Sequence, residues 1–137
     1  MKSVPKIIVD TNIILSGYIY GGKPRLILQL AAKKEIEIIT SLQILAECVD
    51  VLRKKFKVDD KKIAIFQAKI ENLFTFVTPK ETISIVKRDP DDNKFIEAAV
   101  EGNCGYIITG DCDLLDLRQY KSIKIISANE FLENLEG

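Results

Sequence analysis

The sequence predicts an α/β fold of three layers, α/β/α, with a mostly parallel central sheet. The predicted strands are apolar runs that lack the polar–apolar alternation of a sheet with one solvated face. Predicted helices separate these strands along the chain, as parallel pairing requires. The 137 residues fit one domain spanning 1–137, and no internal repeat or linker divides it.

Each predicted element rests on a local signal. Runs of β-branched residues predict the strands, and apolar residues at helical spacing behind a capping serine or aspartate predict the helices. Gly17, Gly21 and Gly22 predict a loop, and Pro24 suits the first turn of the next helix. In chain order, the predicted elements are a strand at 6–10, a short helix at 13–15, a helix at 24–33, a strand at 36–40, helices at 42–56 and 60–74, a strand at 74–77, a strand or loop at 83–86, a helix at 89–101, a strand at 105–111, a short helix at 112–117, a strand at 123–126 and a final helix opened by the capping box at 127–130.

The composition limits the chemistry that is available. The chain has no histidine, which excludes serine–histidine and cysteine–histidine catalysis and any histidine ligand for zinc. It has no glycine-rich phosphate loop, and Cys48, Cys104 and Cys112 lack metal-binding spacing, so we expect reduced thiols. An enzyme made from these residues has to use carboxylates, lysines and a bound metal.

Charge and hydropathy bear on partners and location. The 20 acidic and 20 basic residues cancel. If a metal site takes up about five carboxylates, the rest of the protein has a net charge of about +5, which is compatible with binding a polyanion. No apolar run approaches the roughly 18 residues of a membrane span, and the start of the chain does not lead into a signal peptide. We therefore expect a cytoplasmic protein without membrane contact.

Two predicted strands end in an acidic residue, Asp10 and Asp111. Ligands of open α/β sheets bind beyond the carboxyl ends of the strands, so both carboxylates should project from one edge. If the strands are neighbours, the two charges repel each other unless a cation holds them. Each aspartate alone can equally cap the following helix. The pair, with Asp113 two residues further on, favours a shared site.

Asp92 is predicted to face the core because Phe95 and Ile96 share its side of a helix. A lone buried charge is costly unless it is paired or binds a metal. The alternative is a solvated position in the first helical turn, where the dipole favours acids. Asp89 and Asp91 compete for the same roles, and the spacing favours Asp92.

Glu47 is placed on the surface by periodicity alone. Five apolar residues mark the core face of its predicted helix, and Glu47 lies opposite them. A solvated glutamate is the expectation there. The five apolar residues are Leu42, Leu45, Val49, Leu52 and Phe56.

Four segments resemble the PIN domain family, in the right order and over nearly the whole chain. Each is weakly specific alone, and together with the predicted fold they are quite specific. The similarity is closest to prokaryotic PIN proteins described as toxins of toxin–antitoxin pairs, the VapC-like ribonucleases. The four segments are 8–13, 45–52, 89–94 and 108–115.

The resemblance implies a nuclease that binds one or two Mg²⁺ or Mn²⁺ ions and cuts single-stranded RNA. It also implies a homodimer and an antitoxin protein as possible partners. Carboxylates suit such hard cations. The residues that match the family's catalytic and metal-binding acids are Asp10, Glu47, Asp92 and Asp111. The further matching residues are Asp113, an acid near the metal, and Asn12 and Thr109, which support the site.

Other classes of protein compete with this interpretation. A receiver-like domain needs an early acidic pair and a central phospho-accepting aspartate, and a haloacid-dehalogenase-type phosphatase needs an acid where Asn12 stands. A non-catalytic PIN-fold RNA-binding or scaffold protein is a stronger alternative, although such proteins typically lose acids that this chain retains. A housekeeping ribonuclease without an antitoxin is another.

The sequence does not assign the contacts to RNA. Lysines and arginines near the glycines and the acidic motifs can meet phosphates, although such residues are usually only solvated. Tyr18 and Tyr20 can stack on bases or simply pack.

Overall fold

The structure is a computed structural model that describes residues 4–136, and within that range it has six strands, seven helices and one 3₁₀ turn. Residues 1–3 and 137 lie outside the described residues. Two predictions fall partly on them: that the start of the chain does not lead into a signal peptide, and that the domain spans 1–137. The strands are β1 (Lys6–Val9), β2 (Glu37–Thr40), β3 (Thr75–Phe76), β4 (Tyr106–Ile108), β5 (Gln119–Tyr120) and β6 (Ile123–Ile126). The helices are α1 (Thr11–Ile19), α2 (Gly22–Ala32), α3 (Leu42–Lys54), α4 (Asp60–Leu73), α5 (Asn93–Glu101), α6 (Cys112–Leu115) and α7 (Ala128–Glu136), and the 3₁₀ turn is Pro90–Asp92.

The six strands form one sheet in the order β3-β2-β1-β4-β6-β5. All neighbouring strands are parallel except β5, which is antiparallel to β6. Ile7 and Ile8 of the central strand β1 point to opposite faces, and both are 0% exposed. Both faces of the sheet are therefore covered, and the predicted α/β fold with a mostly parallel sheet is confirmed.

The buried face of α3 differs from the predicted one. Leu42 is 73% exposed, and the helix ends before Phe56. Ile44 and Cys48 are the most deeply buried side chains of the helix, at 0% and 1% exposure. The buried face is rotated towards these two residues, which moves Glu47 from the opposite side of the helix towards the margin of that face.

The edges of the sheet also differ from the predictions. The third strand is reduced to Thr75–Phe76, and residues 83–86, for which a strand or a loop is predicted, form no strand. The strand at Gln119–Tyr120 has no counterpart among the predicted elements. Two residues are too few to produce a pattern in the sequence, and only the pairing with β6 defines this strand.

One face of α5 holds residues 80–86 through side chains. Glu101 accepts a hydrogen bond from the amide of Lys80 at 3.2 Å, and Glu97 accepts one from the amide of Ile83 at 2.9 Å. Asn93 completes the series, since these three residues are spaced four apart along the helix. We call these three side chains the α5 ladder.

Asn93 is the most fully bonded member of the α5 ladder. Its Oδ1 accepts hydrogen bonds from the amides of Ile85 and Val86, at 3.0 and 2.8 Å. Its Nδ2 donates to the carbonyls of Val86 and Pro90, both at 3.0 Å. The side-chain amide thus uses both of its donors and both acceptor positions. It fixes the segment to the 3₁₀ turn without any strand pairing.

Gly17 lies inside α1, although the sequence predicts a loop there. A Cβ at this position would lie 2.9 Å from Leu28 Cδ1 and from backbone atoms of Pro24. The glycine therefore permits the close packing of α1 on α2. The turn itself lies at Gly21 and Gly22, whose φ angles are 103° and 68°.

Replacing Gly17 with alanine is expected to lower the free energy of unfolding by about 1–3 kcal/mol, because the added methyl group pushes α1 away from α2. Gly105→Ala is the matched control, since a Cβ there would meet no heavy atom within 4 Å. We expect it to change the free energy by less than about 1 kcal/mol. Urea denaturation measures both variants, and equal effects would contradict the packing role of Gly17.

Candidate functional site

The carboxyl ends of β1 and β4 bring two acidic residues to one edge of the sheet. The strands are parallel neighbours, with Val9 opposite Ile108. Asp10 follows β1 directly, and Asp111 precedes α6 shortly after β4. The condition for a shared site, that these two strands are neighbours, is therefore met.

Thr109 links the two aspartates. Its hydroxyl donates a hydrogen bond to Asp10 Oδ2 at 2.5 Å and accepts one from the amide of Asp111 at 3.0 Å. The other carboxylate oxygen of Asp10 accepts from the amide of Ile13 at 2.8 Å and so caps α1. Burial raises the pKa of Asp10, and hydrogen bonds, first that from Thr109, oppose this rise. Asp10 therefore both caps its helix and lies at the shared edge.

Three carboxylates converge at this edge. Oxygen atoms of Asp89, Asp92 and Asp111 all lie within 4.8 Å of one another. Asp92 is 8% exposed, and within residues 4–136 its Oδ2 is the one buried side-chain oxygen or nitrogen without a hydrogen-bond partner. Burial, and then the neighbouring Asp111 and Asp89, raise the pKa of Asp92 to about 7. A buried carboxylate between two others is costly unless a cation compensates it.

The oxygen atoms of this cluster fit a hard divalent cation. Mg²⁺ and Mn²⁺ prefer oxygen ligands, and Mg²⁺ is usually held by one or two carboxylates together with water. A cation among the three carboxylates would supply a partner for Asp92 Oδ2 and offset the repulsion from Asp89 and Asp111. The residues present therefore suit a metal site.

Asp89 belongs to this cluster, although spacing along the chain favours Asp92 alone. Asp89 caps the 3₁₀ turn by accepting a hydrogen bond from the amide of Asp91 at 3.3 Å. An aspartate followed by a proline favours the start of a turn, and Asp89–Pro90 is such a pair. The structure thus brings Asp89 and Asp92 together, while Asp91 stays exposed.

Glu47 lies outside the three-carboxylate cluster and is held by two other residues. The hydroxyl of Thr11 donates a hydrogen bond to Glu47 Oε1, and Lys94 Nζ lies 2.9 Å from Glu47 Oε2. The Lys94 side chain is 12% exposed, and it also donates to the carbonyl of Asp91 at 2.8 Å. Glu47 is therefore half-buried and paired rather than freely solvated, and Thr11 connects it to the neighbouring Asp10.

Asp113 also has a basic partner. Its Oδ1 lies 3.3 Å from Arg88, whose guanidinium reaches Asp116 at 3.2 Å. Asn12 is exposed in the first turn of α1. Of the acids predicted from the sequence, the structure thus groups Asp92 with Asp111 and connects Asp10 to Asp111 through one hydroxyl group. Glu47 and Asp113 form ion pairs with the basic side chains of Lys94 and Arg88.

A cleft of about 700 Å³ opens beside Glu47 and Lys94. Its walls come from α3, the segment before the 3₁₀ turn and the start of α5. The described lining includes three more acids, Asp50, Asp91 and Glu97, against the one ammonium group of Lys94. Walls of this charge repel phosphates.

The profile of the PIN domain matches residues 6–113. The chain belongs to the PIN domain family. PIN domains are generally nucleases. The chain is also 31% identical, over 144 residues, to the uncharacterized protein MJ1680 of Methanocaldococcus jannaschii, and the match covers 96% of this chain and 92% of that protein.

Two solved structures have a similar fold. PAE2754 from Pyrobaculum aerophilum superposes with a TM-score of 0.62 at 14% identity, covering 98% of this chain and 90% of that one. VapBC2 from Rickettsia felis, bound to a DNA fragment from their promoter, gives a TM-score of 0.58 at 15% identity, covering 88% and 96%. At such identities the likeness shows the fold. Within residues 4–136, no helix of this PIN domain has the length and apolar character to cross a membrane.

The three cysteines take no part in the carboxylate site. All three are free, and Cys48 and Cys104 are buried. Burial raises the pKa of both thiols to about 12. Because only a thiolate is a good nucleophile or metal ligand, these two groups are inert at neutral pH.

The raised pKa of Asp92 predicts that the stability of the metal-free PIN domain depends on pH. A carboxyl group whose pKa rises from 3.8 to about 7 on folding stabilises the fold fully below the lower value and loses this contribution as pH rises through the higher one. Asp92→Asn removes the ionisation. Between about pH 5 and about pH 8, its melting temperature should therefore fall by a few degrees less than that of the wild type.

Thermal melts in excess EDTA measure this difference. The matched control is Asp91→Asn, which alters the exposed neighbour and should follow the wild-type pH dependence. If Asp92→Asn and the wild type lose stability equally as pH rises, the raised pKa of Asp92 is wrong.

Proposed function

We propose that this chain acts, as a single PIN domain, as a divalent-metal-dependent endoribonuclease that hydrolyses phosphodiester bonds in single-stranded RNA. The observation that carries the proposal is the convergence of Asp89, Asp92 and Asp111 around a buried oxygen that lacks a partner. Membership of a family that generally comprises nucleases supports it. The absence of histidine from the sequence also supports it, because carboxylates and a metal can hydrolyse a phosphodiester without a histidine base.

In the proposed reaction, water attacks the phosphorus in line with the leaving oxygen. A new P–O bond forms as the old one breaks, and the products are one phosphate-bearing and one hydroxyl-bearing end. Mg²⁺ or Mn²⁺, as one ion or two, supplies Lewis-acid activation of water and charge neutralisation at the phosphate when bound. The residues assigned to hold it are Asp10, Glu47, Asp92 and Asp111, with Asp113 nearby and Asp89 added because of its distance to Asp92 and Asp111.

Neighbouring side chains orient the proposed ligands. Thr109 fixes one carboxylate oxygen of Asp10 with a hydrogen bond. Asn12, which is exposed in the first turn of α1, is proposed to support the site from the solvent side. Lys94 fixes Glu47 by an ion pair. Hydrogen bonds to ligands in this way set their orientation and contribute to metal affinity.

Asp10→Asn and Asp111→Asn are each expected to lower Mn²⁺-dependent cleavage of single-stranded RNA by more than about a hundredfold, because loss of even an outer partner of a metal ligand costs about 10–100-fold. Both variants should fold, since asparagine also caps helices well. Gel assays with a labelled oligoribonucleotide measure cleavage, and circular dichroism measures folding.

The matched control for these substitutions is Asp50→Asn on α3. Asp50 is 57% exposed and forms a surface ion pair with Lys54 at 3.1 Å. Surface pairs of this kind contribute little, so its cleavage rate should stay within about twofold of the wild type. Wild-type rates in Asp10→Asn or Asp111→Asn would refute the assignment of these ligands.

A non-catalytic RNA-binding or scaffold role is the second candidate. The observation that favours it is that Glu47 and Asp113 already have basic partners, Lys94 and Arg88. Calorimetry with Mn²⁺ separates the two functions. Heat of binding at millimolar metal that disappears in Asp92→Asn supports the nuclease, whereas absence of binding by the wild type supports the scaffold.

We further propose that this PIN domain is the toxin of a toxin–antitoxin pair, cytoplasmic and homodimeric. The likeness of its fold to the PIN chain of VapBC2 supports this proposal. Expression of the wild type should arrest bacterial growth, and Asp111→Asn should not. Coexpression of the protein from the adjacent reading frame should restore growth. Cleavage of RNA in the test tube without growth arrest would instead indicate a housekeeping ribonuclease.

A further inference from the structure

A basic and aromatic surface covers the ends of α1 and α3 and the start of α4. Two aromatic side chains, Tyr20 and Phe56, lie at its centre, and an apolar groove of about 360 Å³ runs beside Phe56 between the three helices. Lys55 and Lys57 flank Phe56 in the chain, and Lys62 lines the groove beside it. We call this region the α3–α4 basic surface, and its lysines are Lys55, Lys57, Lys61 and Lys62.

The lysines of this surface give it an excess of positive charge. Two other basic residues of the same region have acidic partners, since Arg53 pairs with Asp60 at 3.4 Å and Lys54 pairs with Asp50 at 3.1 Å. None of the four lysines of the surface forms an ion pair within residues 4–136, and they outnumber Asp59, the one acid of residues 53–62 outside these pairs. In a chain of zero net charge, this is a local concentration of positive potential.

The aromatic rings are an independent observation. Tyr20 is 72% exposed and Phe56 is 38% exposed, and their ring centroids lie 6.4 Å apart. Packing explains Tyr18, whose ring contacts Phe66 edge to face with centroids at 4.8 Å. It does not explain the exposure of Tyr20. Exposed rings among lysines are the combination that binds single-stranded nucleic acid, because bases stack on rings and lysines meet phosphates.

The surface lies one helix length from Asp10, which Thr109 connects to Asp111 of the carboxylate cluster. Asp10 caps the N-terminus of α1, and Tyr20 caps its C-terminus. The nine residues of α1 span about 13 Å at about 1.5 Å per residue. The cleft beside Glu47, in contrast, has acidic walls that repel phosphates. The basic surface therefore offers a polyanion a favourable path away from the site.

We propose that the α3–α4 basic surface binds single-stranded RNA a few nucleotides from the phosphate that is cut, with bases stacked on Tyr20 and Phe56. The proposal rests on the proposed ribonuclease function and adds to it a second contact that anchors longer strands. The abundance of lysine favours RNA over a protein partner, because protein interfaces are depleted in lysine.

The first test uses charge reversal in an Asp111→Asn background, so that RNA is bound but not cut. Lys55→Glu with Lys62→Glu should weaken binding of a fluorescent oligouridylate of about 20 nucleotides at least tenfold, and should leave one of about 4 nucleotides nearly unchanged. The slope of log affinity against log salt should shrink by about 1.4. Lys33→Glu with Lys124→Glu is the charge-matched control from other exposed positions and should keep wild-type affinity.

The second test separates stacking from charge. Tyr20→Ala should weaken binding of the long oligouridylate by about fivefold or more, whereas Tyr20→Phe retains the ring and should bind like the wild type. In the otherwise active enzyme, the alanine variant should raise KM for the long RNA and leave kcat unchanged. Circular dichroism and light scattering control for folding and for oligomeric state.

Unchanged binding of the long RNA by the charge-reversal and Tyr20→Ala variants would overturn the proposal. It is equally overturned if these variants change only the oligomeric state, since the surface would then be an interface between copies of the chain. If the wild type fails to cleave RNA with Mn²⁺ but its length-dependent binding requires these residues, the ribonuclease proposal fails and the RNA-binding surface stands.

Discussion

Parallel pairing of β1 with β4 puts two acidic residues at one edge of the sheet, and the surrounding side chains compensate for the resulting repulsion. Thr109 donates to one carboxylate and accepts from the backbone of the other. Lys94 and Arg88 neutralise the acids next to the edge. Asp92 is left without such compensation, since its buried Oδ2 has no partner among the described residues. Basic side chains of the protein thus balance Glu47 and Asp113. The cluster around Asp92 lacks a positive charge, and a cation bound there would supply it.

Equal numbers of acidic and basic residues conceal a strongly uneven distribution of charge. Acids gather at the carboxyl edge of the sheet and along the cleft beside Glu47. Unpaired lysines gather where α3 ends and α4 begins, among exposed aromatic rings. A net charge of zero therefore says little about whether this chain binds a polyanion, because the local potentials have opposite signs on different surfaces.

Features determined by local sequence could be predicted, and features determined by tertiary contacts could not. The positions of Asp10 and Asp111 are predictable because each closely follows an apolar strand, and the burial of Asp92 follows from its helical phase. The position of Glu47 is not predictable, because periodicity places Leu42 on the core face, whereas Leu42 is exposed in the structure. Asp89 joins the cluster through the geometry of the 3₁₀ turn, which spacing along the chain does not reveal. The α5 ladder is likewise invisible in the sequence, because its partners lie in a segment without regular structure.

The α5 ladder has a consequence for how this fold can diverge. A strand imposes register and side-chain alternation on every residue, whereas residues 80–86 are held by a few hydrogen bonds to the α5 ladder and by the buried side chains of Ile83 and Val86. Side chains of this segment that line the cleft, such as Ser84, are free of those demands. Evolution can therefore remodel this wall of the cleft while the adjoining acids keep their positions, so that the shape of the cleft and the arrangement of the carboxylates can change separately.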